Sequence, residues 1–183
     1  MNQMFAYRTH RVQEDLRRIS QYADLPKQRV LVSGSTGLIG LQLCAFLQAA
    51  GHEVVRLTRP STVLPPDVTD QPCVVWDDQT GEVLEGSLEG FDTVIHLAGA
   101  GIGDKRWNAE RKALIRSSRT VPTENLVRLF STLETPPKTF LSGSAVGYYG
   151  NRGDEQLTES SPAGDGFLAL SLIHISEPTR LDG

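Results

Sequence analysis

Only two cysteines occur in the 183 residues, Cys44 and Cys73, each alone inside an apolar run. That usage leaves no metal-ligand spacing and no disulfide framework, and it suits buried thiols in a reducing compartment. A run of about 18 apolar residues is also missing, which excludes a hydrophobic membrane-spanning helix. The basic opening, residues 1–18, lacks the apolar stretch of about 7–15 residues that a secretory signal needs. Charge of one sign is equally scarce in any one place. Lys and Arg number 18 and Asp and Glu 22, interspersed to a net −4, so neither a nucleic-acid nor a membrane surface is expected. Internal repeats and low-complexity tracts are absent. These absences point to a cytoplasmic protein, and the 39% hydrophobic content is enough for one domain with a real core.

What is present is an alternation of short apolar runs and helical patterns. Val12, Leu16, Ile19 and Ala23 recur at helical spacing over residues 12–23, and Asp24-Leu25-Pro26 breaks that helix. Strands are predicted over 29–33, 53–58, 73–76, 92–97 and 138–142. A helix over 38–50 closes on Gly51, and helical pattern returns over 107–116 and 123–133, with Pro122 in a first helical turn. Pro60, Pro65, Pro66 and Pro72 keep a long helix out of the second strand connection. Strands alternating with helices predict an α/β fold, a doubly wound parallel sheet covered on both faces.

Gly34, Gly37 and Gly40 stand at G-x-x-G-x-x-G spacing between the first predicted strand and the helix after it. In a Rossmann-type unit such glycines allow a tight turn, close approach of backbone to a pyrophosphate, and close helix–strand packing. The helix N-terminus adds unpaired N–H groups and a positive dipole end. Gly34, Thr36, Gly37, Leu38, Ile39 and Gly40 are therefore the expected phosphate contacts. An NAD site commonly places an acid at the end of the second strand for the ribose 2′-hydroxyl. This chain has Arg56, Thr58 and Arg59 there and no Asp or Glu before Asp67. A guanidinium suits a 2′-phosphate, so NADP is the expected cofactor, with Arg59 the principal contact and Thr58 a further donor.

The glycine turn together with His96-Leu97-Ala98-Gly99, Asp104-Lys105-Arg106-Trp107, Ser118-Arg119 and Gly147-Tyr148-Tyr149-Gly150 resembles one family. This is the atypical extended short-chain dehydrogenase/reductase group of NAD-dependent epimerase/dehydratase-like proteins, some bacterial members of which are labelled cell-division inhibitors. The resemblance runs from about residue 29 to 169. It implies that Thr58 and Arg59 hold the ribose phosphate, that Leu97, Ala98 and Gly99 line the cofactor, and that Arg119 reaches it. Asp77 matches an adenine contact of related enzymes, or is a solvated loop acid. Trp107 matches a packing anchor. The residues ahead of this region, Phe5 to Arg8 and the following helix, resemble the end of a START-like lipid-binding domain, with a short native helix as the alternative.

Reductases of this class use Ser, Tyr and Lys, the last two as Y-x-x-x-K, the lysine lowering the tyrosine pKa. Ser144 follows the fifth predicted strand at the serine position. No Y-x-x-x-K occurs; Tyr148 has Arg152 at that offset and Tyr149 has Gly153. Tyr148 is the candidate acid/base, against a reading as a packed aromatic cap. No metal ligands are expected. Two functions stay open: hydride transfer on a small carbonyl or sugar-like substrate, or an NADP-occupied sensor with degenerate chemistry.

The expected organisation is an N-terminal helix and linker over 1–28, an NADP-binding Rossmann domain over 29–169, truncated before a C-terminal substrate lobe, and a tail over 170–183. The string from Leu170 to Arg180 resembles the translation of a transposase-type sequencing adapter, so the tail is expected to be non-native and to pack poorly.

Overall fold

The computed structural model describes residues 2–167 and 169; the tail over 170–183 lies outside the described residues. The strands β1 (Arg29–Ser33), β2 (Glu53–Thr58), β3 (Cys73–Trp76), β4 (Val83–Glu85), β5 (Thr93–His96) and β6 (Thr139–Ser142) accompany, among the described residues, the helices α1 (Asn2–Gln21), α2 (Leu38–Ala49) and α3 (Ala109–Phe130) and a 3-10 turn, Val146–Tyr149. The strands form one sheet in the order β4-β3-β2-β1-β5-β6. All neighbours are parallel except β4, which returns antiparallel along β3. The chain winds outward from β1 to β3 and then crosses to β5 on the other side of β1. That reversal opens a crevice at the carboxyl ends of β1 and β5, where α/β sheets bind ligands.

The central strand is buried on both faces, which explains its unbroken Val30-Leu31-Val32 run. Leu31, Val55, Leu57, Val74 and Val94 gather on the α3 face with Trp76, Phe91 and Leu126. Val30, Val32 and Val54 gather on the opposite face with Cys44 of α2. Each fully buried aliphatic side chain contributes about 1.5–3 kcal/mol. Register pairs Leu31 with both Val55 and Val94, so Ser33 meets Leu57 and His96 and the three strands end level beneath the crevice.

Four features differ from the sequence reading. The helices expected over 107–116 and 123–133 are one helix, α3, running through Pro122. Pro122 is fully buried, the Thr123 hydroxyl donates to the Arg119 carbonyl at 2.6 Å, and Ile115 and Leu126 anchor both halves on the sheet, so tertiary packing offsets the proline. Its start is capped by Asn108, which accepts the Arg111 N–H at 2.7 Å. The short β4 has too few residues to show alternation. Cys73 is only half-buried, whereas Cys44 is fully buried and burial pushes its thiol up. Helix α1 begins at Asn2 instead of residue 12, and its Phe5, Val12 and Leu16 are exposed; neither core cluster includes an α1 residue. Among the described residues no helix is long and apolar enough to cross a membrane, and no three His, Cys, Asp or Glu side chains group as metal ligands.

Candidate functional site

The turn leaving β1 is held by its glycines. Gly34 has φ +67°, and a Cβ there would stand 2.7 Å from the Leu97 carbonyl carbon. A Cβ on Gly40 would run into the Gly34 carbonyl oxygen, so only glycine lets α2 press on the turn. The Gly37 N–H donates to the Gly34 carbonyl at 3.0 Å, and Gly37, as the N-cap of α2, offers no side-chain cap. The first N–H groups of α2 therefore lack a side-chain acceptor, which fits them to an anionic ligand.

Two cavities of about 440 and 430 Å³ flank this turn and share Gly34, Gly37, Leu97, Ala98 and Gly99 in their walls, so together they make a groove over the strand ends. Leu38, Ile39, Gly40, Arg119 and Ser144 line the first cavity, and Thr36, Thr58 and Arg59 line the second. Tyr148 lines neither. The short turn between Gly147 and Gly150 sets its ring edge-on to Tyr149 at 5.1 Å, and its carbonyl accepts the Gly164 N–H at 2.9 Å. Both rings are half-buried. Ser144 is exposed on the wall, just past Gly143, whose N–H donates to the His96 carbonyl at 2.8 Å.

The cations at the end of β2 divide. Arg59 is open, with a side chain 60% exposed, and pairs with Asp78 at 3.6 Å. Its backbone N–H donates to the Thr62 hydroxyl, which fixes the start of the following turn. Arg56 is not available to a 2′-phosphate. It points to the α2 side of the sheet, is 1% exposed and donates to the Ser35 carbonyl at 2.7 Å. Asp77 is spent on its own turn, accepting from the Gln79 and Thr80 N–H groups at 2.8 and 3.2 Å; the acid in the cavity wall is Asp78.

The segment after β5 is fastened by α3. The Ser118 hydroxyl accepts the Ala100 N–H at 3.0 Å, and Arg119 donates to the Ala100 and Ile115 carbonyls at 3.0 and 2.9 Å. Burial, helped by Arg111 nearby, lowers the Arg119 pKa from the usual arginine value. Trp107 donates to the Ile102 carbonyl at 2.8 Å, and Arg111 bonds the Gly101 carbonyl, so the Lys-Arg-Trp block closes this loop on itself. Beneath the groove, Ser33 Oγ and His96 Nδ1 lie 2.6 Å apart, and burial pushes the His96 pKa down to about 4. The Ser35 hydroxyl and His96 Nε2 are buried without a partner among the described residues. Sequence reasoning passed over Ser35, Asp78 and His96. Polar residues at or just past the carboxyl ends of parallel strands were the signal available.

A parallel sheet that reverses beside β1, a glycine turn against an uncapped helix and a groove across both define a Rossmann-type nucleotide-binding protein. The chain belongs to the NAD dependent epimerase/dehydratase family, whose model matches residues 30–166. An epimerase family protein of Mycobacterium leprae is 37% identical over 143 residues, 78% of this chain and 44% of that protein. A solved nucleoside-diphosphate sugar epimerase from Corynebacterium glutamicum superposes with a TM-score of 0.73 at 38% identity, covering 94% of this chain and 35% of that one. The human epimerase family protein SDR39U1, solved with NADPH, gives 0.68 at 30% identity, covering 85% of this chain and 50% of that one. The chain thus spans less than half the length of the Mycobacterium leprae relative.

Proposed function

We propose that this chain is the NADP-binding part of an epimerase/dehydratase-like oxidoreductase that acts, in the full-length protein, on a small carbonyl or sugar-like substrate. One observation carries the cofactor choice: the second cavity has Arg59 and Thr58 at the end of β2 where an NAD site would have a carboxylate. The solved human relative with NADPH supports the same reading. The groove fits a dinucleotide on its own terms, with first N–H groups of α2 that receive no side-chain cap, an orphaned Ser35 hydroxyl and glycines that admit no side chain. Gly34, Thr36, Gly37, Leu38, Ile39 and Gly40 would face the diphosphate, Leu97, Ala98 and Gly99 would floor the groove, and Arg119 would hold that floor in place. A bound nicotinamide would supply the chemistry of hydride transfer to or from a substrate carbon. Ser144 would donate a hydrogen bond to the substrate oxygen. The substrate, the upstream START-like domain suggested for residues 1–28, and the cytoplasmic setting belong to this proposal as well.

A charge-assisted hydrogen bond from Arg59 is worth about 1.5–3 kcal/mol, or about 10- to 150-fold in affinity. The 60% exposure of Arg59 puts the effect at the lower end, since salt screens it. Titration calorimetry should give NADPH about tenfold tighter binding than NADH, with the preference shrinking as ionic strength rises and vanishing in Arg59→Ala. Equal affinities in the wild type would contradict the assignment.

A second reading, an NADP-occupied sensor, is favoured by the edge-on packing of Tyr148 against Tyr149 outside both cavities. Steady-state NADPH oxidation by the full-length protein separates the two.

A further inference from the structure

Arg56 is the largest fully buried side chain of the described residues, at 1% exposure, and no carboxylate lies within ion-pair distance of it among them. Its guanidinium has two polar partners, both uncharged. Nη1 donates to the Ser35 carbonyl at 2.7 Å and Nε to the Gln71 side-chain oxygen at 2.9 Å. Ser35 is the second residue of the glycine turn, and Gln71 belongs to the connection that returns to β3. A buried cation is costly unless an opposite charge neutralises it, and here the protein supplies none. The side chain lines neither cavity. It stands behind the turn, on the face opposite Leu57, with its charge directed at the backbone whose front faces the groove.

We propose that Arg56 is a positioning residue for the diphosphate of the cofactor, holding the Gly34–Gly37 turn by the Ser35 carbonyl and supplying, from behind it, the fixed positive charge that the bound diphosphate neutralises. This rests on the dinucleotide reading above and extends it to a residue that touches no ligand. The bond to Ser35 draws on the carbonyl and turns the adjoining N–H groups of the turn toward the groove. The interior has a low dielectric, so the charge acts through the turn with little screening. Arg56 and Arg59, three residues apart, then have separable tasks. Arg59 reads the 2′-phosphate that only NADP carries. Arg56 serves the diphosphate that NADP and NAD share.

The test is titration of the wild-type chain, Arg56→Met and Arg56→Lys with NADPH and NADH at low and high salt, with melting curves taken with and without NADPH. Arg56→Met should lose about tenfold for both cofactors, leaving the NADPH/NADH ratio unchanged, and the loss should persist at high salt. Its melting temperature without ligand should stay near the wild type, while the rise on adding NADPH shrinks. Arg56→Lys keeps the charge with poorer geometry and should recover part of the affinity. Unchanged affinity in either folded variant, or a loss confined to NADPH, would overturn the assignment. So would a fall in unliganded melting temperature that accounts for the weaker binding, with no recovery in Arg56→Lys. Binding of neither cofactor by the wild type would overturn the dinucleotide reading itself, and this inference with it.

Discussion

The two ends of the groove are built differently. At the β1–β2–β3 end every strand has neighbours on both sides, and the polar groups are held by fixed partners: Arg56 by Ser35 and Gln71, Arg59 by Asp78. At the other end β6 is the outermost strand among the described residues. Leu141 is 52% exposed and Val146 83%, and Ser144 stands on an open wall with Tyr148 turned aside. On the function proposed above, the first end has the parts that would recognise an adenosine diphosphate. The second has Thr123, Ser142, Ser144 and the buried His96 along its cavity wall. The groove thus has one end backed by interior strands and the other at the edge of the described sheet.

The sharpest way to break the comparison is to fill the interior of the first end. Gly40→Val would force a side chain into the Gly34 carbonyl and cost about 3 kcal/mol or more, with loss of detectable dinucleotide binding. Urea unfolding and calorimetry check both effects. The same substitution at Gly153, where an added Cβ meets nothing but φ is +58°, strains the backbone locally and should leave binding intact.

The buried Ser33–His96 pair gives the next effect, through pH. In the folded chain burial depresses the His96 pKa to about 4, below the ordinary histidine value of about 6.5. Between these values the unfolded chain binds the proton and the folded chain does not, so stability rises with pH across that window. The contribution is fully present above pH about 6.5 and is lost as pH falls toward about 4, a change of about 3 kcal/mol. His96→Gln should flatten the unfolding free energy over that range. Glu89 and Asp92 are held below their usual values by hydrogen bonds, first from the Thr135 hydroxyl and the Arg29 N–H respectively, and they lose their contributions only below about pH 4.5. A variant that keeps the full slope between pH 4 and 6.5 would place the titrating group elsewhere.

Core truncation sharpens the contrast. Leu31→Ala, at the centre of β1, should cost about 2–5 kcal/mol. Leu141→Ser, on the edge strand, should stay within about 0.5 kcal/mol. Comparable losses at the two positions would show that β6 is covered.

Much of this was legible from the residues because glycine spacing and β-branched runs are local signals. The strands β1, β2, β3 and β5, the glycine turn and the uncapped start of α2 all follow from them. What escaped is set by tertiary context. Pro122 reads as a helix start, yet Ile115 and Leu126 hold one helix across it. Arg56 and Arg59 look alike in a strand-end tetrapeptide. Alternation puts Arg56 opposite Leu57, but only the fold reveals that the glycine turn covers that face. Asp77 and Asp78 exchange roles for the same reason, since the first is consumed by the turn it begins. Tyr148 is a candidate by its motif, and its edge-on packing against Tyr149 depends on a turn geometry that the motif does not specify.

The most direct test of the contrast between the two ends uses fragments of the cofactor. Calorimetry with 2′,5′-ADP and with nicotinamide mononucleotide probes one end at a time. The account predicts that 2′,5′-ADP binds within about a hundredfold of NADPH and loses most of that affinity in Arg59→Ala, while the mononucleotide shows no measurable binding. Tight binding of nicotinamide mononucleotide with none of 2′,5′-ADP would contradict it.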